Sequence, residues 1–151
     1  MRFLKIRYSM FKILTFYSLI ICIWASAEPT FYTGLFSKTA LKGYDVVFYY
    51  QNNQAQKGDS RFSHQFQGVQ WNFVNEKNLS TFKSDPTKYI PQYGGWCAYA
   101  MADGKKVGVD PRSFDIKNGK LYLNYNKKVQ KKWQKKQDQY IPKADKHWEK
   151  I

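Results

Sequence analysis

Phe114-Asp115-Ile116-Lys117-Asn118-Gly119-Lys120-Leu121-Tyr122-Leu123-Asn124-Tyr125 carries the strongest hairpin signal in the sequence. Phe114 and Ile116 alternate with polar neighbours, and Leu121, Leu123 and Tyr125 alternate again beyond Asn118-Gly119. Alternation puts one set of side chains on one face of a strand. Asn-Gly supplies the positive φ angles of a type I′ turn. The segment therefore predicts a β-hairpin with one apolar face. A second hairpin is predicted upstream, where Phe62, His64 and Phe66 precede Gln67-Gly68 and Val69, Trp71 and Phe73 follow it.

Outward from these hairpins the signals become helical. Asn75 offers an N-cap to a helix over Glu76 to Ser84, with Leu79 and Phe82 three apart and Asp85-Pro86 closing it. Asn124 or Asn126 caps a helix running to about Gln137, and Pro142 opens a last short helix with His147 and Trp148. Gly43 to Tyr50, rich in Val and aromatics, reads as a strand, followed by a polar loop from Gln51 to Ser60. Asp103-Gly104 reads as a turn. No internal repeat and no long linker stands out. The expectation is a small single α+β domain of antiparallel β-hairpins, short helices and a Lys-rich C-terminal helix.

The start of the chain reads differently. Arg2, Lys5, Arg7 and Lys12 precede a largely apolar run from Ile13 to Trp24, and Ala25-Ser26-Ala27 has the small-x-small form of a cleavage site. That is the pattern of a secretory signal peptide over 1–27, with an N-terminal extension over 28–41 and the domain over 42–151. The expected product is periplasmic or secreted, cleaved near Ala27. It has about 124 residues, and its many aromatic side chains suffice for a core.

Cleavage would remove Cys22 and leave Cys97 without an intrachain partner, so the chain is not a disulfide scaffold. An unpaired thiol has four fates: buried and inert, cross-linked to another molecule, metal-bound, or reactive. Cys97 follows Gly94-Gly95-Trp96, and Met101 lies four residues later, on the same face whether the segment is helix or strand. Thiolate, thioether and imidazole together suit a soft ion such as Cu(I), and His64 is the candidate imidazole. A structural zinc site needs four Cys or His ligands, more than Cys97, His64 and His147 provide. A thiol hydrolase would use Cys97 as nucleophile, His64 or His147 as base and Gln92 as oxyanion donor. No phosphate-binding Gly-rich loop, paired catalytic carboxylates or HExxH motif is present.

Charge supplies the other signal. The formal net charge is +14, and residues 126–151 carry nine lysines against Asp138, Asp145 and Glu149. Lys127, Lys131 and Lys135 form one i,i+4 row, and Lys128, Lys132 and Lys136 a second. Val129 and Trp133 form the apolar seam that docks this helix. The face is either a solvated surface or a contact for anionic lipid, lipopolysaccharide or another polyanion. Nucleic acid is not an expected partner of an exported chain.

Gly68-Val-Gln-Trp71-Asn-Phe73, Phe82, Asp85-Pro86 and Lys88-Tyr89 together resemble the YHS domain family. The continuation through Tyr93-Gly94-Gly95-Trp96-Cys97-Ala98 and Gly119-Lys-Leu-Tyr-Leu-Asn124 resembles its exported bacterial branch. The resemblance covers roughly Lys42 to the C-terminus and implies a metal-binding module related to metal sensors and copper transporters. Those relatives carry Phe-Cys-Ser-x-x-Cys where this chain reads Phe73-Val74-Asn75-Glu76-Lys77-Asn78. Val74 and Asn78 thus replace the ligand cysteines, and the family's Asp-Pro-Val-Cys corresponds loosely to Asp45-Val46-Val47. The leading expectation is a non-catalytic exported protein that binds a soft, copper-like ion through Cys97, Met101 and His64. The alternative is an interaction module with a structural Cys97 and the Lys127, Lys128, Lys131, Lys132, Lys135 and Lys136 face turned to anionic surfaces.

Overall fold

The Asn118-Gly119 turn has φ of 53° and 71°, the left-handed pair that a type I′ hairpin demands. It joins strands β3 (Asp110–Lys117) and β4 (Lys120–Asn124) in the computed structural model, which describes residues 30–151. The proposed signal peptide lies outside the described residues. Gln67-Gly68, with φ of 48° and 79°, joins β1 (Asp59–Phe66) to β2 (Val69–Phe73) in the same way. Each hairpin forms its own two-stranded antiparallel sheet.

Six short helices surround them: α1 (Val46–Asn52), α2 (Glu76–Ser84), α3 (Pro86–Tyr89), α4 (Ala98–Met101), α5 (Lys127–Gln134) and α6 (Gln137–Trp148). The fold is α+β, as expected from the sequence. Asn75 caps α2 by accepting the Asn78 N–H at 2.8 Å, and Asn126 caps α5 by accepting the Val129 N–H at 2.9 Å.

Two local expectations are corrected. The Gly43 to Tyr50 strand is instead a 3-10 turn, Ala40–Gly43, leading into α1. Val46-Val47 favours a strand by propensity, but the Asp45 carboxylate takes the N–H groups of Val47 and Phe48 and starts a helix. Val46, Val47 and Tyr49 are then fully buried. Pro142 does not open the last helix but lies inside α6. Tyr140, Ile141, Ala144 and Trp148 pack against the second apolar cluster, and this burial outweighs the hydrogen bond that Pro142 cannot make.

Contrary to expectation, the structure contains an internal repeat. At one constant offset, Asp59 corresponds to Asp110, Arg61 to Arg112, Gly68 to Gly119, Asn75 to Asn126 and Phe82 to Trp133. The strand registers correspond as well. Asp59 pairs Phe73 and Asp110 pairs Asn124; Ser63 pairs Asn72 and Phe114 pairs Leu123; each hairpin has its irregularity between those two pairs. Asp59–Arg61 and Asp110–Arg112 form matching ion pairs. Upstream, at an offset one residue longer, Leu41-Lys42-Gly43 and Tyr93-Gly94-Gly95 share three consecutive left-handed residues. Each triplet leads into a helix, headed by Asp45 or Cys97. Residues 41–134 thus hold two versions of one turn–helix–hairpin–helix unit, hidden in sequence because few identities survive.

Two apolar clusters hold the units. Phe31, Leu41, Val46, Val47, Trp71, Phe73, Phe82, Leu121 and Leu123 belong to the first. Tyr93, Ala98, Met101, Tyr122, Trp133 and Ala144 form the second. Strand β4 therefore buries both faces, Leu121 and Leu123 toward one cluster and Tyr122 toward the other, where alternation alone predicted one buried face. Phe31 stands edge-on to Trp71 at 5.2 Å, so the segment before Ala40 contributes to the core.

Candidate functional site

The Gly-Gly segment delivers Cys97 to the junction of the two units. Pro91 leads into a 3-10 turn, Gln92–Gly95, in which Tyr93 and Gly94 have φ of 55° and 58°. A Cβ on Gly94 would stand 1.9 Å from the Thr30 carbonyl oxygen, so only glycine fits. Cys97 follows with φ −59° and ψ 114° and heads α4. Its N–H donates to the Val107 carbonyl at 2.9 Å, and it bridges to Leu123 of β4.

The Cys97 side chain is 1% exposed, and its sulfur has protein partners. The Tyr125 N–H donates to Sγ at 3.3 Å, and the thiol lies 3.9 Å from Asn124 Oδ1. Asn124 Oδ1 also accepts the Tyr99 N–H at 3.3 Å. In the first unit Asp45 fills the same position. Its Oδ1 accepts from Val47 and Phe48, and its Oδ2 accepts from the Val74 N–H at 2.8 Å and from Asn78 Nδ2 at 2.7 Å. Val74 and Tyr125 are corresponding residues. Each side chain therefore ties the start of a helix to the strand–helix junction of its own unit.

The other residues predicted to accompany the thiol go elsewhere. Cys97 packs in the first cluster and Met101 in the second, where it is fully buried with Trp133 and Tyr122. The Met101 N–H donates to the Cys97 carbonyl at 2.9 Å, but Cys97 precedes α4 with a ψ of 114°, and the two side chains fall in different clusters. His64 is half-buried on β1, edge-on to Phe82 at 6.4 Å. His147 sits on α6 over Gly104, and Gln92 lies half-buried in the 3-10 turn. Cys97 and Met101 thus belong to different clusters, and His64 packs on Phe82. Among the described residues, no three His, Cys, Asp or Glu side chains are grouped to hold a metal ion.

Lys127, Lys128, Lys131 and Lys132 lie on α5, which ends at Gln134 rather than near Gln137, and Lys135 and Lys136 form the turn that leads into α6. Gln130 and Trp133 are buried beneath α5 and Val129 is half-buried, while Lys127, Lys128, Lys131, Lys132, Lys135 and Lys136 are exposed. The acidic side chain nearest the buried face is already engaged: Asp115 accepts from Gln130 Nε2 at 2.9 Å and from Gln134 Nε2 at 2.6 Å. Gln130 Nε2 also donates to the Phe114 carbonyl. On α6, Asp138 pairs with Lys117 at 2.5 Å and Asp145 accepts the Tyr93 hydroxyl at 2.8 Å. Burial, then this bond to Asp145, pushes Tyr93 well above its ordinary pKa. The ion pairs among the described residues are Asp59–Arg61, Asp110–Arg112 and Lys117–Asp138, so none of the six lysines has a carboxylate partner there.

Sequence reasoning passed over one exposed feature. Leu35 is 85% and Phe36 100% exposed, at the tip of a turn. Their apolar character was visible, but nothing in the local pattern distinguishes an exposed Leu-Phe from a buried one. Comparison of the chain with family models, curated proteins and solved structures finds no match.

Proposed function

We propose that this protein is a non-catalytic binding module in which α5 presents a cationic face to anionic surfaces and Cys97 serves the fold. The observation that carries this reading is the set of six exposed lysines with no carboxylate partner among the described residues. Like charges at i,i+4 spacing cost a helix a few tenths of a kcal/mol per pair. Here that cost is met by burying Trp133, and the result is a concentrated positive potential facing solvent. The engagement of Cys97 Sγ by Tyr125 and Asn124 supports its structural role.

The test is binding to phosphatidylcholine vesicles with and without phosphatidylglycerol, and to immobilised heparin, over a salt series. Wild type is expected to bind the anionic vesicles and heparin, and to lose both as salt rises. Lys128→Gln/Lys132→Gln/Lys136→Gln is expected to weaken vesicle binding about 100-fold, at about 1 kcal/mol per lysine. A triple variant that binds like wild type would remove α5 as the contact.

A further inference from the structure

The Leu35–Phe36 turn is built to hold two apolar side chains in water. Phe36 has a φ of 61°, a left-handed conformation that disfavours an aromatic residue and is seldom kept without constraint. The base of the turn is anchored on both sides. Ser37 Oγ accepts the Thr39 N–H at 3.0 Å. Opposite, Lys42 runs past Gly34, its Cγ 3.2 Å from where a Cβ would stand, and its Nζ donates to the Val109 carbonyl at 3.2 Å. The same ammonium lies 5.6 Å over the Tyr32 ring, which stands edge-on to Trp96.

The surroundings of the turn are cationic. Lys42 borders two adjoining depressions, one shared with Leu35 and Ser37, the other with Arg112, Tyr125 and Asn126. Tyr125 is 55% exposed there, and Lys127 follows at the start of α5. Lys38 adjoins the tip in sequence and is exposed. The carboxylate on this face, Asp110, is paired with Arg112 at 3.1 Å. Partial burial opposes its ionisation, but the bonds from Arg112, with the charges of Arg112 and Lys127, hold its carboxyl below the usual range.

We propose that the Leu35–Phe36 turn is a wedge that enters the headgroup–acyl boundary of an anionic bilayer while Lys38, Lys42, Arg112 and Lys127 meet the lipid phosphates. This rests on the cationic reading of α5 and deepens it by naming the partner. A soluble polyanion offers charge but no apolar phase, so it would leave Leu35 and Phe36 in water. A bilayer interface takes both the aromatic tip and the basic rim. The exposed tip and its charged surround are thus complementary to the two layers of one surface.

The experiment uses protein purified in the form that accumulates in the producing cell, with equimolar phosphatidylglycerol–phosphatidylcholine vesicles and heparin as separate probes. Leu35→Ser/Phe36→Ser is expected to lower vesicle affinity about tenfold or more while eluting from heparin at the wild-type salt concentration. Phe36→Trp is expected to gain a blue-shifted emission that brominated lipid quenches, which reads insertion without removing the apolar tip. Wild-type vesicle affinity in the Ser variant, or no added quenchable emission in Phe36→Trp, would overturn the wedge. If the lysine triple variant still loses binding in that case, the α5 reading stands alone. A lysine variant unchanged on both probes would instead overturn the α5 reading. A concentration-dependent dimer abolished by the Ser variant would assign the tip to a second copy of the chain and overturn the lipid assignment.

Discussion

At position 45 a buried carboxylate collects four donors, whereas at the corresponding position 97 a thiol accepts one N–H and lies beside an amide oxygen. Removing the carboxylate leaves three backbone N–H groups and the Asn78 amide unpaired in the core, so Asp45→Ala should cost about 3 kcal/mol or more in denaturant unfolding. A loss under about 1 kcal/mol would mean that water or rearrangement replaces the carboxylate. Cys97 presents no such concentration of charge-assisted bonds. Its burial predicts that a thiol reagent labels the native protein only as fast as it unfolds, and rapid labelling of folded protein would contradict the structural role. Cys97 stands out in the sequence as the thiol that remains if Cys22 is removed with the expected signal peptide. Its equivalence to Asp45 was not legible there, because an acid and a thiol share no signature until their partners, Val74 and Tyr125, are seen in corresponding places.

Among the elements, those specified by neighbouring residues were read correctly. The hairpin turns, α2 and the Asn126 cap of α5 rest on local signals. Asn75→Ala and Asn126→Ala should each lose about 1 kcal/mol of stability, measured by denaturant titration. A neutral result for both would show that the side-chain caps seen at 2.8 and 2.9 Å contribute nothing net. Helix α1 was misread because Val46, Val47 and the following aromatics suit a strand as well as a buried helix. The Asp45 carboxylate favours the helix by capping Val47 and Phe48 at its start, and the Val74 N–H, reached after the first hairpin, holds the other oxygen of that carboxylate. Pro142 misled for a related reason: a proline that locally marks a helix start is carried inside α6 by the packing of Tyr140, Ala144 and Trp148.

The whole molecule closes over tyrosines as well as aliphatic residues, and this gives it a defined alkaline limit. Burial pushes Tyr49 and Tyr93 far above their ordinary pKa of 10.0, and Tyr50 up to about 12. Raised folded values mean that stability is complete below pH 10, where both states are neutral. Above it the unfolded chain ionises first, so stability falls as pH rises toward the folded values. Tyr49 should remove about 1.4 kcal/mol per pH unit above 10, and Tyr93, nearer to screening solvent, less than that. Absorbance at 295 nm should show their ionisation coinciding with loss of structure by circular dichroism. Ionisation of every tyrosine near pH 10 with the fold intact would contradict their burial.

The two hairpins, the Asn-capped helices and the lysine rows follow from residue order alone. Each of these is written in residues within a few positions of one another, where turn chemistry, capping and i,i+4 spacing act directly. The burial of Val46, Val47 and Tyr49 in a helix, and of β4 on both faces, came from long-range packing. Long-range packing also put Cys97 and Met101 in different clusters, matched the two units to one another and left Leu35–Phe36 exposed. Those outcomes depend on which distant surfaces meet, and burial against a distant surface outweighs local preference once the chain has closed on itself.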